Sequence, residues 1–380
     1  MGNKVLIIDD SALMRRAMSD IIESDSQLTV ASTANNGEIA LEYLLRGRKY
    51  DLILVDINMP KMDGVQFLKE MNKHNIQIPT LVVSSIASES ADETIEALAL
   101  GAFDFVRKPA GQVGQGYQDF KEQILERAYC ACDLGTYERG DNDEKLKIEL
   151  EIEELFKSKK KKDENKNPVK KQVVIPETVI KKGSFSSGKN KLVVIASSTG
   201  GPKALQSVVP YFPVNFPYPV VIVQHMPQGF TASLAERLNQ MSALTVKEAA
   251  DGEELKSGFV YIAEGGKQCE LMEKENGKYC FSENDKPARR GLRPCADIFF
   301  ESLVKTNFDE IVCAVLTGMG ADGSKGIELI KRYQNVKVVA QNEETCVVYG
   351  MPRAAKEIGV VDQVVPLEDV TGMIIKQIGV

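Results

Sequence analysis

Residues 52–64 read LILVDINMPKMDG. Four apolar residues run into Asp56, and proline and glycine stop the run a few positions later. A short unbroken apolar run bounded by turn residues is the pattern of a strand buried on both faces, which requires helices above and below a parallel sheet. Working outward, the pattern recurs at KVLIID, LTVAST, TLVVSS and FDFVRKP, with helical periodicity in each gap. Five such βα units predict a five-stranded parallel sheet over residues 1–128, because a parallel crossover needs a helix and is right-handed.

Beyond residue 191 the alternation resumes with KLVVIAS, VVIVQH, FVYIA, EIVCAVLTG and VKVVAQN. It is interrupted by ELMEKENGKYCF, where Asn276-Gly277 between alternating residues signals an antiparallel hairpin. The fold class is therefore α/β: two doubly wound parallel-sheet domains, 1–128 and 191–380, the second with a hairpin insertion. Between them, residues 129–190 contain DEKLKIELEIEELFKSKKKKDENKNPVKK and read as a charged interdomain linker. Within it Ile148, Ile152, Leu155 and Phe156 have helical spacing, while Leu146, Ile148, Leu150 and Ile152 alternate, so both a helix and a strand stay open. A flexible linker of about 60 residues spans roughly 45 Å, which keeps the domains within reach of each other.

Composition narrows the function classes. A net charge of −7 argues against a nucleic-acid binder, which needs a basic face rather than an acidic average. No apolar run approaches the roughly 18 residues of a membrane span, and the first residues, MGNKVLIIDD, meet two aspartates too soon for a signal peptide. Seven cysteines occur without a Cys-x-x-Cys pair, which predicts reduced thiols in a cytoplasmic protein and no zinc site.

Strand carboxyl ends of an open parallel sheet converge on one crevice. In the first domain those ends carry Asp9, Asp10, Asp56, Ser84 and Lys108. Each alone is ordinary, since an aspartate after a strand often caps the next helix. Together, three carboxylates need a cation, and an all-oxygen site favours Mg²⁺. Ser84 and Lys108 are then placed to hold a phosphoryl group on Asp56.

In the second domain, Ser197, Ser198 and Thr199 follow one strand, His225 closes the next, and Asp322 lies in the glycine-rich turn LTGMGADGSKG. A serine hydroxyl is a poor nucleophile until an imidazole accepts its proton and a carboxylate orients the ring. Backbone N–H groups around Met319 or beside Ser198 are candidates for an oxyanion hole. Gly-x-Ser-x-Gly is absent, so this is not an α/β-hydrolase elbow. Two alternatives stay open here: a purely structural glycine turn, and a dinucleotide fingerprint, which Gly318-Met-Gly320-Ala-Asp-Gly323 fits with Glu343 twenty residues on, although Asp322 puts a negative charge inside that loop. His74 reads as a loop residue without a role.

The first half resembles the receiver domains of bacterial two-component response regulators, which are flavodoxin-like. The resemblance implies that Asp56 accepts the phosphoryl group, that Asp9 and Asp10 hold Mg²⁺ with it, that Ser84 and Lys108 read the phosphoryl group, and that Phe105 fills the aromatic switch position. The second half resembles the catalytic domain of the chemotaxis protein-glutamate methylesterase family, CheB, through SSTGGPKAL, VQHMPQGFT, AEGG, RPCADIFFESL, LTGMGADGSKG and AQNEETCVVYGMPRAA. That resemblance covers the chain outside the linker. It implies Ser198 as nucleophile, His225 as base, Asp322 as third member, Thr199 and Met319 lining the site, and no cofactor for the esterase. It implies methyl-accepting chemotaxis receptors as substrate, a chemotaxis histidine kinase as phosphodonor, and a protein peripheral to receptor arrays and not membrane-inserted. By the same resemblance, the unphosphorylated receiver covers the esterase cleft. Two departures stand out: Ala196-Ser197 replaces Gly-Ala before the nucleophile, making Ser197 a possible decoy, and Cys295 replaces a common serine.

Overall fold

The computed structural model of the protein describes residues 2–85, 88–109, 115–135, 190–275 and 277–380. In the first domain β1 (Asn3–Ile8), β2 (Leu28–Ala34), β3 (Leu52–Asp56), β4 (Thr80–Ser84) and β5 (Asp104–Arg107) alternate with α1 (Ala12–Glu23), α2 (Gly37–Leu45), α3 (Gly64–Lys73), α4 (Ser88–Ala99) and α5 (Gln115–Ala131). The sheet order is β2-β1-β3-β4-β5, and its paired strands are parallel. Every residue of β3 and β4 is buried, as expected for central strands with helices on both faces. Helix starts follow local chemistry: Ser11 and Asn36 cap α1 and α2, and Asp63 with Gln66 forms a capping box on α3. Losing such a cap costs about 1 kcal/mol. His74 is the C-cap residue of α3, with its ring 3.7 Å from Glu70.

The second domain contains β6 (Lys191–Ser197), α6 (Gly201–Gln206), β7 (Val220–Gln224), α7 (Phe230–Met241), β8 (Thr245–Glu248) and β9 (Phe259–Ile262). Next come the hairpin β10 (Gln268–Glu273) and β11 (Tyr279–Asn284), then α8 (Ala296–Ser302), β12 (Glu310–Val315), α9 (Ser324–Lys331) and β13 (Val336–Gln341). The chain ends with α10 (Met351–Glu357), β14 (Gln363–Val365) and α11 (Val370–Ile378). The sheet order is β14-β13-β12-β6-β7-β9-β8, seven strands where five are expected. The two unforeseen strands, β8 and β14, are edge strands of four and three residues with largely uncovered patterns. They lack the apolar run that marks a buried strand. The antiparallel hairpin is present, with Leu271 opposite Phe281. Gly277 has φ 75° in its turn, the left-handed conformation the Asn-Gly signal implies, while Asn276 lies outside the described residues.

The domain boundary drawn at residue 128 falls inside α5, which continues to Ala131. Residues 136–189 lie outside the described residues, and with them both readings of the 146–156 segment. The two domains meet along α4 and β5 on one side and α6 and α7 on the other. At this seam the Phe105 and Phe230 rings lie 4.6 Å apart, and buried apolar residues of both domains form one continuous cluster. Among the described residues no helix is long and apolar enough to cross a membrane.

Candidate active site

Both sheets change direction at a switch point, between β1 and β3 in the first and between β6 and β12 in the second. In the second sheet the segments after β6, β7 and β12 bring Ser198, His225 and Asp322 to one cleft of about 560 Å³. Hydrogen bonds stitch these segments together. Ser198 N donates to Thr317 O (3.1 Å), His225 N to Ser197 O (3.1 Å), and Gln224 Nε2 to Ser198 O (3.0 Å). Two glycines make room: a Cβ on Gly201 would collide with Gln224 Oε1, and one on Gly318 would meet Ser198 Cβ at 2.9 Å. Pro202 sits in the first turn of α6.

His225 Nε2 lies 2.7 Å from Asp322 Oδ2. Asp322 is held by three more donors: Ala296 N on Oδ2 (2.6 Å), and Asp297 N and Cys295 Sγ on Oδ1 (each 3.1 Å). Burial alone would push this carboxyl up. The hydrogen bond and charge of His225, with the Cys295 and Ala296 donors, outweigh it and hold Asp322 well below the usual carboxylate range. The Cys295 thiol is pushed up to about 12, first by burial and then by the Asp322 charge. It therefore stays a neutral S–H donor at physiological pH, directed at Asp322.

The two serines are distinguished by their surroundings. Ser197 is fully buried and its Oγ donates to Gln224 Oε1 at 2.6 Å, whereas Ser198 lines the cleft. Thr199 is buried and its hydroxyl donates to Asp104 Oδ2 of the receiver (2.6 Å). Met319 lines the same cleft. The dinucleotide reading fits poorly, because the Asp322 carboxylate, gripped as above, occupies the loop that a pyrophosphate would have to approach.

In the first sheet Asp9, Asp10 and Asp56 each offer an oxygen within 4.8 Å of the others, the one such group among the described residues. Lys108 Nζ lies 2.8 Å from both Asp9 Oδ2 and Asp56 Oδ2. Asp9 Oδ2 is buried and, this ion contact aside, receives no directed hydrogen bond. Burial raises the Asp56 carboxyl to about 6; Lys108 opposes this, and the charges of Asp9 and Asp10 add to it. For Lys108, burial pulls downward, but Asp56 and Asp9 prevail and the net shift is upward. Ser84 is fully buried, and its Oγ accepts a hydrogen bond from Thr94 Oγ1 of α4 at 2.9 Å.

Residues Asp104, Phe105 and Arg107 of β5 and one face of α5 also line the cleft that holds Ser198 and His225. Sequence reasoning singled out neither Asp104 nor Gln224. Their only local signal is a polar residue in a buried strand, which does not reveal the partner. It also passed over Arg290 and Arg293, at the rim of the same cleft in the run ARRGLRP.

A receiver-type sheet whose last strand lies against a serine-, histidine- and aspartate-lined cleft makes the chain a response regulator with a hydrolase-type output domain. The family of the response regulator receiver domain matches residues 5–114, and the CheB methylesterase family matches residues 193–374. The protein-glutamate methylesterase/protein-glutamine glutaminase 1 of Syntrophomonas wolfei is 39% identical over 97% of this chain and 97% of its own length. The protein-glutamate methylesterase/protein-glutamine glutaminase of Bacillus subtilis is 39% identical over 98% of this chain and 97% of its own. The crystal structure of the Thermotoga maritima CheB methylesterase catalytic domain is 45% identical, covering 50% of this chain and 99% of that one, with a TM-score of 0.48. The chain belongs to the CheB methylesterase family of response regulators.

Proposed function

We propose that the protein hydrolyses γ-methyl esters of glutamate on chemotaxis receptors, releasing methanol, and deamidates receptor glutamines by the same route. The observation that carries this reading is the 2.7 Å contact between His225 and Asp322, whose carboxyl is held well below the usual range, in a cleft shared with Ser198. Asp322 engages Nε2, which leaves Nδ1 of His225 to take the proton of Ser198. Ser198 Oγ then bonds to the ester carbonyl carbon, and backbone N–H groups of Thr199 and Met319 receive the developing oxyanion. One such donor is typically worth about 2.7–4 kcal/mol. The Ser198 N–H is already committed to Thr317 O and is not one of them. His225 returns the proton to the leaving methoxide, and a water deprotonated by His225 releases the glutamate carboxylate. Methanol release from methylated receptor membranes tests this. Ser198→Ala should abolish it and Ser197→Ala should leave most of it, whereas equal losses would move the nucleophile elsewhere.

Regulation by phosphorylation follows from the position of β5. It carries Asp104 and Phe105, which touch the catalytic domain, and is followed at once by Lys108, which touches Asp56. The carboxylates of Asp9, Asp10 and Asp56 fit Mg²⁺, which when bound offsets the phosphoryl charge. Asp56 accepts the phosphoryl group from a chemotaxis histidine kinase; Lys108 and Ser84 then turn to the phosphoryl oxygens, and Ser84 leaves Thr94. That shift loosens the seam and opens the cleft. A tenfold activation needs only about 1.4 kcal/mol of differential stability. Asp104→Asn, which weakens the grip on Thr199, should raise the activity of the unphosphorylated protein several-fold. The reading places the protein in the cytoplasm, peripheral to receptor arrays.

A further inference from the structure

The cleft that holds Ser198 and His225 is bounded by groups of opposite charge on its two walls. On the catalytic side, Arg290 and Arg293 line its rim. On the receiver side, where four carboxylates outnumber two arginines, Asp104 and Arg107 of β5 are joined by Asp119, Glu122, Gln123, Glu126 and Arg127, all from α5. The α5 residues' spacing of three, four, seven and eight residues is one face of a helix. Three of these five are carboxylates, so a helix with an acidic face lies over the cleft.

The arginines are held in place by the chain around them. Arg289 N donates to Leu292 O (3.2 Å) and Leu292 N to Arg289 O (3.0 Å), closing a two-residue turn with Arg290 at φ 53° and Gly291 at φ 77°. Positive φ at both central residues is the tight hairpin-turn geometry, which fixes the direction of the tip. Arg289 is committed to structure, through paired contacts with Glu301 of α8. Arg290 lies 3.6 Å from the buried Asp297, with half its side chain exposed, and Arg293 is exposed. Both are therefore exposed residues of the cleft lining, with side-chain donors suited to carboxylates.

We propose that Arg290 and Arg293 are specificity residues that bind carboxylates flanking the scissile ester on an acidic helical segment of the substrate, and that α5 occupies this place as an internal stand-in. The inference rests on the esterase reading and deepens it: the substrate is a glutamate ester embedded among free carboxylates on one helix face. Charge complementarity selects this occupant. A neutral or basic helix would leave Arg290 with Asp297 as its one nearby carboxylate and add nothing to balance Arg293, and the reaction itself adds carboxylates to the strip it works on. Recognition and inhibition then use the same surface, so the receiver excludes substrate by competing for the arginines as well as by covering Ser198.

Two synthetic helical peptides, identical except that one γ-methyl-glutamate is flanked on its face by glutamates or by glutamines, test this on the full chain activated with acetyl phosphate. The wild type should favour the glutamate-flanked peptide about tenfold, through KM and not kcat, with the preference shrinking as salt rises. Arg290→Gln with Arg293→Gln should abolish the preference by raising KM for that peptide while kcat holds. Equal KM for the two peptides in the wild type, or a variant that loses kcat with its preference intact, overturns the assignment. If neither peptide releases methanol from the wild type, it is the esterase reading that fails. In the unphosphorylated protein, Asp119→Asn, Glu122→Gln and Glu126→Gln combined should raise turnover several-fold. No rise would remove α5 as a stand-in.

Discussion

Asp56 and Asp322 are both buried aspartates at the carboxyl ends of strands in parallel sheets, yet their acidities move in opposite directions. Asp322 receives two backbone N–H groups, a thiol and an imidazole, and is held well below the usual range. Asp56 has Lys108 as its one cation and two like charges beside it, and is raised to about 6. Burial acts the same way on both, so the number of donors decides the sign. The difference suits the tasks proposed for them: one carboxylate to orient a base through every turnover, the other to await a cation and a phosphoryl group.

The largest test of this comparison is Asp322→Asn. An amide cannot stabilise an imidazolium and presents an N–H where acceptors are required, so kcat for methanol release should fall on the order of 10⁴-fold, as in other triads. A loss below tenfold would mean that Asp322 serves α8 and not His225. The matched change, Asp56→Asn, should leave basal turnover in place while abolishing the response to a phosphodonor.

The next effect is on stability against pH, where the two sites should behave oppositely. A raised folded-state pKa favours the fold below the ordinary carboxylate value, 3.8 for Asp56, and that contribution is lost as pH rises through about 6. Asp56→Asn should therefore stabilise the receiver at pH 7, by up to about 3 kcal/mol for a shift of that size, and the gain should vanish near pH 4. Asp322, being depressed, contributes stability above the ordinary carboxylate range that is lost as acid titrates it. Thermal melts of Asp56→Asn at pH 4 and 7 read the first sign directly; a pH-independent gain would assign the effect to packing.

The comparison also explains what could be read from sequence. Both sites sit where apolar runs stop, so LILVD, KVLIID and VVIVQH announce Asp56, Asp9 and His225 by a change from buried apolar to polar residues. The short edge strands β8 and β14 have no such run. The contacts that set the acidities join distant segments: Asp322 to Cys295, Ala296 and Asp297, and Asp104 to Thr199 across 95 positions. A periodic pattern carries no information about such partners. Ser197 shows the limit, because its hydroxyl looks equivalent to that of Ser198 until the fold commits it to Gln224.

The smallest expected effect concerns Cys295, the one side-chain donor to Asp322 besides His225 among the described residues. Its thiol stays protonated, since burial and the neighbouring carboxylate push it up to about 12, so it acts only as a weak S–H donor. Cys295→Ser restores a stronger, shorter donor and should keep kcat within about threefold. Cys295→Ala removes the donor, leaving Asp297 N as the contact of Oδ1. A hydrogen bond to a charged group contributes about 1.5–3 kcal/mol when good, and a thiol less, so kcat should fall only several-fold. The acidic limb of the pH–stability profile should move upward as Asp322 becomes easier to protonate. If Cys295→Ala leaves both kcat and that limb unchanged, His225 and the backbone N–H pair of Ala296 and Asp297 suffice to keep Asp322 ionised, and the contrast with Asp56 reduces to an imidazole and a helix start at one aspartate and neither at the other.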